Sequence, residues 1–317
     1  MIVTITMNPA VDKSTSTEKM VPEKKMRCDT MISEAGGGGI NVSKAIKELD
    51  GVSTAIFPSG GMNGKLIENY LSRKNIAFKT IPIEQETREN IVVCERETNA
   101  QFRFVMPGAS LGEAEAGSCF ELLEQLQPAP TYIVASGSLP PGLSKDFFCS
   151  LAAVSKKLNA RFIVDTSGEP LQHALKEGVY LLKPNLHELS LLVGKEKLEL
   201  DEVDDAALEI IHRGACEVMV VSMGASGAVL VSKEGVEYIP APTVKKKSTV
   251  GAGDSMVAGM VWKLSQQKSL TEMAQFGVAC GTAATMNAGT QLFKKADVDR
   301  LYNWISQYGH KYNPLSQ

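Results

Sequence analysis

Apolar and polar positions follow two different periods along most of the chain. Short apolar runs, rich in β-branched residues, predict strands at residues 2–7, 54–58, 131–136, 161–165, 180–183 and 218–222. Apolar residues recur with helical spacing between them, at residues 40–49, 64–74, 111–126, 145–158, 186–193 and 204–213. This alternation predicts an α/β fold with a mostly parallel sheet sandwiched by helices.

Two regions interrupt the alternation of strands and helices. Residues 13–33 are polar and basic with extended character, and residues 76–106 contain three successive strand-like runs, at 77–83, 90–96 and 101–106. These regions predict a small β-sheet lid that projects from the α/β body. The sequence contains neither repeats nor a low-complexity linker, so we expect a single domain over residues 1–317.

Composition narrows the class of protein. The 33 basic and 36 acidic residues give a net charge of −3, which predicts no nucleic-acid partner. The six cysteines form no C-x-x-C pair, which favours reduced thiols in a cytosolic protein. No apolar run reaches membrane-spanning length, and the first residues do not resemble a signal peptide. We therefore expect a cytoplasmic protein without a membrane partner.

The most informative stretch is S-T-V-G-A-G-D-S, at residues 248–255, which directly precedes an apolar helical run. Three small residues, Gly251, Ala252 and Gly253, allow backbone N–H groups at a helix N-terminus to approach an anion closely. Asp254 follows in the first helical turn. A carboxylate at this position can cap the helix, bind a metal or act as a general base, and the residues alone leave all three open.

Further candidates lie at the predicted sheet edge and on the predicted lid. Asp12 follows the first strand, where ligands of open α/β sheets bind, although an Asx turn explains it equally well. The run G-G-G-G-I-N at residues 36–41 is either a ligand loop or a tight turn. Arg88 and Arg103 suit phosphate recognition, but isolated arginines on strands more often face solvent.

Three more motifs occupy junctions after predicted strands. They are S-G-S-L-P-P-G at 136–142, K-P-N-L-H-E at 183–188 and the glycine turn S-M-G-A-S-G-A at 222–228. The first offers hydroxyl and backbone N–H groups, and the second ends in Glu188, which would otherwise only complement the helix dipole. Each motif singly has a structural explanation, so their order and combination carry the argument.

In this order, the motifs resemble those of the ribokinase-like (PfkB) carbohydrate kinases along the whole chain, and T-V-G-A-G-D is the most specific of them. The segments K-K-M-R-C (24–28) and F-R-F-V-M-P-G (102–108), together with the four-glycine run, resemble the minor-isozyme branch of ATP-dependent 6-phosphofructokinases. The resemblance implies transfer of the γ-phosphoryl group of MgATP to the C1 hydroxyl of fructose 6-phosphate.

The resemblance also implies a role for each motif. Asp254 would accept the hydroxyl proton, while Gly251, Ala252 and Gly253 would donate N–H groups to the phosphoryl oxygens. The implied sugar-phosphate residues are Asp12, Arg27, Gly37, Gly38, Asn41, Arg88, Arg103 and Ser138. The implied ATP residues are Lys183, Asn185, Ser222, Gly224, Gly227 and Thr282.

Metal ions and a partner chain are implied in the same way. Glu188 would hold Mg²⁺ through water, and a K⁺ site would be built from Ser248, Val250, Ala284, Asn287, Gly289 and Gln291. Family lids pair into homodimers, in which Arg27 would reach the partner's site. An isolated small sheet is marginally stable, so we expect its apolar face to be covered. The candidates for that face are Ile32, Ile81, Ile91, Val93 and Phe104.

Two alternatives to a 6-phosphofructokinase remain at this stage. The first is a tagatose-6-phosphate kinase or 1-phosphofructokinase of the same family, against which the four-glycine run and the lid segments argue. The second is a sugar-phosphate sensor that has lost catalysis. A sensor would be expected to carry damage at Asp254, Glu188 or the glycine turn, and these residues are intact.

Overall fold

The structure is a computed structural model that describes residues 1–287, 289 and 291–309. Its strands are β1 Ile2–Ile5, β2 Ala10–Thr17, β3 Ile32–Gly36, β4 Ser53–Ser59, β5 Ala77–Pro82, β6 Arg88–Glu95, β7 Gln101–Val105, β8 Tyr132–Ser136, β9 Arg161–Asp165, β10 Val179–Leu182, β11 Cys216–Ser222, β12 Ala228–Ser232 and β13 Gly235–Ile239. Its helices are α1 Gly38–Glu48, α2 Gly61–Arg73, α3 Glu113–Glu124, α4 Phe147–Lys157, α5 Gly168–Glu177, α6 Leu186–Leu192, α7 Val203–His212, α8 Ala252–Ser265, α9 Leu270–Thr285 and α10 Lys295–Tyr308.

The main sheet has nine strands in the order β13-β12-β11-β10-β9-β8-β1-β4-β5. Its strands run parallel, apart from the antiparallel pairing of β12 with β11 and β13 at one edge. The chain leaves β1 towards β4 and β5 on one side and later returns to β8 on the other. This reversal opens a crevice at the carboxyl ends of β1 and β8, where ligands of such folds bind.

Helices cover both faces of the main sheet. In β8, Ile133 and Ala135 belong to a core formed with helices α3 to α7, whereas Tyr132 and Val134 belong to a core formed with α1 and α8 to α10. Because both faces are buried, such strands read as continuous apolar runs. The structure therefore confirms the prediction of a ribokinase-like α/β fold, a mostly parallel sheet between two layers of helices.

A second sheet, which we call the lid, has four strands in the order β3-β2-β6-β7. Its two central strands, β2 and β6, pair in parallel, and both outer strands are antiparallel to their neighbours. Val11 and Ala35 at the root of the lid pack against Ile40 and Phe57 of the body. The predicted small sheet is thus present and joined to the body by apolar packing.

One predicted lid strand belongs elsewhere. Residues 77–83 were expected in the lid, but β5 is the edge strand of the main sheet, in parallel register with β4. Its side chains alternate between exposed and less exposed positions until Ile81, which is buried in the body. Because one face of β5 is partly exposed, its alternating pattern resembles that of a lid strand and misled the prediction.

The predicted apolar face of the lid also needs correction. Ile91 and Phe104 are register partners, and Val93 shares their face because side chains alternate along a strand. Ile32 pairs with Ser14, which in turn pairs with Val92. Val92 lies between Ile91 and Val93 along β6, so Ile32 lies on the opposite face of the lid. Only three of the five predicted residues, Ile91, Val93 and Phe104, therefore share the apolar face of the lid.

Two expectations from composition can be compared with the fold. None of the six cysteines is in a disulfide within the described ranges. Over the same residues, no helix combines the length and the apolar character that crossing a bilayer requires.

Candidate active site

The stretch before α8 forms the predicted anion-binding turn. Gly251 has φ 72°, in the left-handed region that glycine adopts without strain, and α8 begins at the next residue. The first N–H groups of a helix have no partner within the helix. The N-terminus of α8 can therefore donate hydrogen bonds from Ala252 and Gly253 to an anion.

Asp254 lies in this first turn and is bound by two distant segments. Asn41 Nδ2 of α1 donates to Asp254 Oδ2 at 3.0 Å, and Ser136 Oγ at the end of β8 donates to Asp254 Oδ1 at 3.0 Å. Burial, reinforced by the negative charge of Asp165, raises the pKa of Asp254 to about 6, although the two hydrogen bonds oppose the shift. The carboxylate is therefore oriented across the crevice and poised to accept a proton near neutral pH.

The glycine run packs the start of α1 tightly against the sheet. Gly37 has φ 109°, and a Cβ atom on Gly38 would lie 2.7 Å from the backbone nitrogen of Gly137. A Cβ atom on Gly39 would lie 2.5 Å from the carbonyl oxygen of Ile5. This close packing explains why the run needs glycine, so the tight-turn interpretation holds, and the role of Gly37, Gly38 and Asn41 in binding a ligand stays a prediction.

Asp12 lies within β2, so the Asx-turn interpretation is wrong. Its Oδ1 accepts a hydrogen bond from Asn90 Nδ2 at 2.9 Å, and a Cβ atom on Gly36 would collide with its carboxylate. Burial raises the pKa of Asp12, while Asn90, Lys44 and Arg88 act in the opposite direction. The sequence analysis missed Asn90, although it lies two residues after Arg88 on a predicted lid strand and could have been chosen for that reason.

Arg88, Asn8 and Ser138 form one polar cluster beside Asp12. Arg88 Nη2 donates to the Asn8 carbonyl at 3.0 Å, and Asn8 Nδ2 donates to Ser138 Oγ at 3.1 Å. The buried Nε of Arg88 has no hydrogen-bond partner among the residues that the structure describes. A buried guanidinium N–H without an acceptor, close to a hydroxyl group, suits an anionic ligand.

The other two predicted arginines lie differently. Arg103 shares the lid face of Asp12 through the register Ser14–Val92–Arg103, and its side chain is exposed. Arg27 is exposed on the loop beside Thr17, which lies about 16 Å along β2 from Asp12 at the usual rise per residue. Within one chain, the structure thus brings Arg103 towards the polar cluster but not Arg27.

A cavity of about 330 Å³ adjoins the N-terminus of α8. It is lined by four of the predicted nucleotide residues together with Gly253, namely Ser222, Gly224, Gly227 and Thr282. Much of the remaining wall is apolar and was not predicted, including Val244, Met256 and Val278. A mostly apolar cavity with a few polar groups, open towards an anion-binding turn, suits a nucleotide.

Lys183 links this cavity to Asp254. Its Nζ lies 3.3 Å from Asp165 Oδ1, and a Cβ atom on Gly253 would lie 3.5 Å from the same nitrogen. Burial favours the neutral amine, but Asp165 and Glu188 outweigh it and raise the pKa of Lys183. Asp165 was missed, although it ends the predicted strand at 161–165 at the same sheet edge.

The predicted pair Asn185 and Glu188 caps α6. Glu188 N donates to Asn185 Oδ1, and Asn185 N donates to Glu188 Oε2, each at 2.9 Å. No group of three or more His, Cys, Asp or Glu side chains is arranged for a metal in the described part of the chain. The carboxylates of Glu188 and Asp165 beside Lys183 fit Mg²⁺, which usually binds one or two carboxylates, water and phosphate.

The predicted potassium residues occupy two adjacent loops. Ser248 Oγ donates to the Gly289 carbonyl at 3.0 Å, and Val250 N donates to Ser248 Oγ at 3.2 Å. Asn287 N donates to the Ala284 carbonyl at 3.2 Å, at the end of α9. Gln291 is exposed and lines a cavity together with Asn287. The hydroxyl of Ser248 thus joins the loop before α8 to the loop after α9, and hydroxyl and carbonyl oxygens of this kind suit a monovalent cation, so the potassium site stays a prediction.

Comparison with known proteins adds independent observations. The family model described as "pfkB family carbohydrate kinase" matches residues 1–296. The chain is 43% identical over 307 residues to the ATP-dependent 6-phosphofructokinase isozyme 2 of Escherichia coli, covering 96% of this chain and 99% of that protein. It is 32% identical over 298 residues to the 1-phosphofructokinase of Bacillus subtilis, covering 92% of this chain and 96% of that protein.

A solved structure agrees with these sequence relations. Phosphofructokinase-2 from Escherichia coli, in complex with potassium, superposes with a TM-score of 0.92 at 43% identity and covers 96% of this chain and 99% of that one. Other structures of the same bacterial protein are described as a complex with substrates and products and as a tetrameric inhibited form.

Proposed function

Because the chain belongs to the pfkB family of carbohydrate kinases, we propose that it is an ATP-dependent 6-phosphofructokinase. It is a phosphotransferase with an alcohol acceptor. The observation that carries the proposal is the position of Asp254. Its carboxylate is held by Asn41 and Ser136 at the N-terminus of α8. The preceding Gly253 lines the nucleotide cavity, and Ser138, two residues after Ser136, belongs to the polar cluster around Arg88.

The reaction follows from this arrangement. The C1 hydroxyl of fructose 6-phosphate attacks the γ-phosphorus of ATP, its proton passes to Asp254, and the bond to the bridging oxygen breaks to release ADP. The N–H groups of Gly251, Ala252 and Gly253 stabilise the charge on the transferred phosphoryl group. Asp12 and Asn41 orient the sugar hydroxyls, and Arg88, Arg103 and Ser138 bind the 6-phosphate. Positioning and charge neutralisation of this kind suffice for phosphoryl transfer.

Magnesium and potassium complete the proposal. When bound with ATP, Mg²⁺ neutralises charge on the phosphates. Lys183 would bind the phosphates, and Glu188 and Asp165 would accept hydrogen bonds from the metal's water ligands. A K⁺ ion among the oxygens around Ser248 would strengthen the positive potential beside the anion-binding turn. Support for K⁺ comes from the potassium complex of the relative from Escherichia coli.

We propose that the enzyme is cytoplasmic.

The main alternative is a different phosphosugar substrate. Identity to the 1-phosphofructokinase of Bacillus subtilis is 32%, compared with 43% for the 6-phosphofructokinase of Escherichia coli, and this difference favours fructose 6-phosphate. Initial rates with fructose 6-phosphate, tagatose 6-phosphate and fructose 1-phosphate test the proposal. We expect kcat/KM to be highest for fructose 6-phosphate. A higher value for either competitor would replace the proposed substrate.

The reaction should depend on pH through Asp254. The base works only when ionised, and burial raises its pKa to about 6, so kcat/KM should be constant above pH 7 and fall as the pH drops through 6. Because Asp165 contributes to the raised pKa, Asp165→Asn should move the inflection to lower pH. The pH dependence of kcat/KM, measured in buffers of constant ionic strength, checks both expectations. An inflection near pH 4 in the wild-type enzyme would contradict them.

We propose that the lid pairs with the lid of a second chain to form a homodimer. Phe104 is 45% exposed and lies beside Ile91 on the apolar face of the lid, opposite the face of Asp12. A second lid would bury this face and bring Arg27 of the partner chain towards the sugar phosphate. The tetrameric form of the relative from Escherichia coli shows that the relative self-associates.

Charges on the apolar lid face should separate the subunits. We expect the double variant Ile91→Asp, Phe104→Asp to sediment as a monomer at assay concentration, with weaker binding of fructose 6-phosphate. The double variant Val52→Asp, Met62→Asp is a matched control, since both of these exposed apolar side chains lie outside the lid. A fully active monomer, in the wild type or in the lid variant, would contradict the shared lid.

A further inference from the structure

Lys44 is a buried lysine that the mechanism above does not use, and burial lowers its pKa. It lies on α1, three residues after Asn41, and its side chain is only 9% exposed. Its Nζ donates to the Ala35 carbonyl at 2.8 Å and lies 3.8 Å from Glu34 Oε2. Burying a charge costs free energy unless the charge is paired, and Ala35 and Glu34 offset this cost for Lys44. They do not explain why a lysine is needed at this position.

The partners of Lys44 lie at the junction between lid and body. Ala35 and Glu34 belong to the lid strand β3, whereas Lys44 belongs to the body helix α1. Glu34 is the register partner of Asp12 on β2. Lys44 therefore fastens the end of β3 to the body at the point where the lid presents Asp12 to the crevice.

Asp12 faces charged groups from three elements. Lys44 faces it from α1, Arg88 from β6 and Glu34 from β3, while the neutral Asn90 donates a hydrogen bond to it. Burial raises the pKa of Asp12, Glu34 adds to this effect, and Lys44 and Arg88 oppose it. Arg88 is a predicted phosphate ligand and also donates to two backbone carbonyls. Removing Lys44 instead takes away a cation near Asp12 without removing a predicted phosphate ligand.

We propose that Lys44 is a positioning residue for the sugar subsite, which fixes β3 beside Asp12 and places a cation near the carboxyl group that binds the sugar hydroxyls. This inference rests on the proposed sugar-binding role of Asp12. Lys44 touches no reacting atom, so its main effect is on the affinity for the phosphosugar and on the pH dependence of that affinity.

The variant Lys44→Met removes the charge and keeps most of the side chain's apolar volume. We expect KM for fructose 6-phosphate to rise by about tenfold, because a neighbouring buried charge acts through a low effective dielectric. KM for ATP should stay within about twofold, since Lys44 does not line the nucleotide cavity. Any change in kcat should be smaller than the change in KM for fructose 6-phosphate, because Lys44 acts on Asp254 only through its charge. Removing a positive charge raises the pKa of Asp12, so the loss of sugar affinity on acidification should begin at higher pH.

Three further variants separate charge from packing. Lys44→Arg keeps the charge and should restore most of the affinity. Lys47→Met removes an exposed lysine one turn further along α1 and should change nothing. Glu34→Gln removes a negative charge that faces Asp12, so the onset of the acid loss should move to lower pH, opposite to the shift in Lys44→Met.

The carboxyl group of Asp12 can also be observed without any substrate. In protein labelled with ¹³C at aspartate carboxyl groups, the Asp12 resonance is assigned with Asp12→Asn and titrated in wild type, Lys44→Met and Glu34→Gln. A higher pKa in Lys44→Met and a lower one in Glu34→Gln would support the inference even if fructose 6-phosphate proved not to be the substrate. Unchanged titration in Lys44→Met, or equal losses for ATP and phosphosugar with a lower Tm, would overturn it.

Discussion

Replacing Asp254 with asparagine should lower kcat by about 10²–10⁴-fold, the usual contribution of a positioned general base. KM for ATP and for fructose 6-phosphate should change little, because asparagine keeps the size of the side chain and can still bond to Asn41 and Ser136. Steady-state kinetics for both substrates would measure the change. Turnover near the wild-type value would remove Asp254 from the mechanism.

The same substitution should leave the fold at least as stable. The pKa of Asp254 is about 6 in the folded protein against an ordinary value of 3.8, so ionisation at pH 7 lowers the free energy of unfolding by up to about 3 kcal/mol. This penalty disappears as the pH falls through 6 towards 3.8, and the neutral asparagine lacks it at every pH. The Tm of Asp254→Asn at pH 7 should therefore equal or exceed that of the wild type.

A matched control separates lost chemistry from lost folding. Asp205 is also an acidic residue in the first turn of a helix, α7, but it is exposed. The variant Asp205→Asn should keep both kcat and Tm. If Asp254→Asn instead lost activity and Tm together, its carboxylate would be a structural group and not a catalytic base.

Replacing Arg88 with glutamine should raise KM for fructose 6-phosphate by about 10–100-fold, since a charge-assisted hydrogen bond to phosphate contributes about 1.5–3 kcal/mol. KM for ATP should remain within about twofold, because Arg88 does not line the nucleotide cavity. Arg88→Lys should be intermediate, as it keeps the charge but loses the bonds to the Asn8 and Met106 carbonyls.

Arg96 provides the control for Arg88. It lies just beyond the end of β6 on the same lid and pairs on the surface with Glu18 and Asp29. Exposed ion pairs contribute little to stability, so Arg96→Gln should leave both KM values unchanged. Equal increases of KM for ATP and phosphosugar in Arg88→Gln would mean that the substitution disturbs the lid as a whole and that Arg88 does not select the 6-phosphate.

Much of the fold could be predicted from the sequence because its strands are buried on both faces. The run at 131–136 is apolar at its centre, from Tyr132 to Ala135, and the structure has β8 there, with alternate residues in two cores. The stretch at 248–255 was equally informative, since small residues before an apolar helix specify an anion-binding turn. The edge strand β5 was misassigned because local alternation does not reveal which sheet a strand joins.

The partners within the site could not be predicted, because they come from segments far apart in sequence. The bond between Asn41 and Asp254 joins residues separated by 213 positions, and only tertiary packing brings them together. Lys44 acts on Asp12 from a different element in the same way. Asp165 and Asn90 are different, since Asp165 ends a predicted strand at the ligand-binding edge and Asn90 lies beside Arg88 on a predicted lid strand.

The most direct test of the proposed function is the identity of the product. The protein is incubated with ATP, Mg²⁺ and fructose 6-phosphate, and the mixture is followed by ³¹P NMR. We expect ADP and a second phosphomonoester on the sugar at C1 to form in equal amounts, and neither to form in Asp254→Asn over the same period. ADP without a new sugar phosphate, or phosphorylation at a hydroxyl other than C1, would contradict the proposed function.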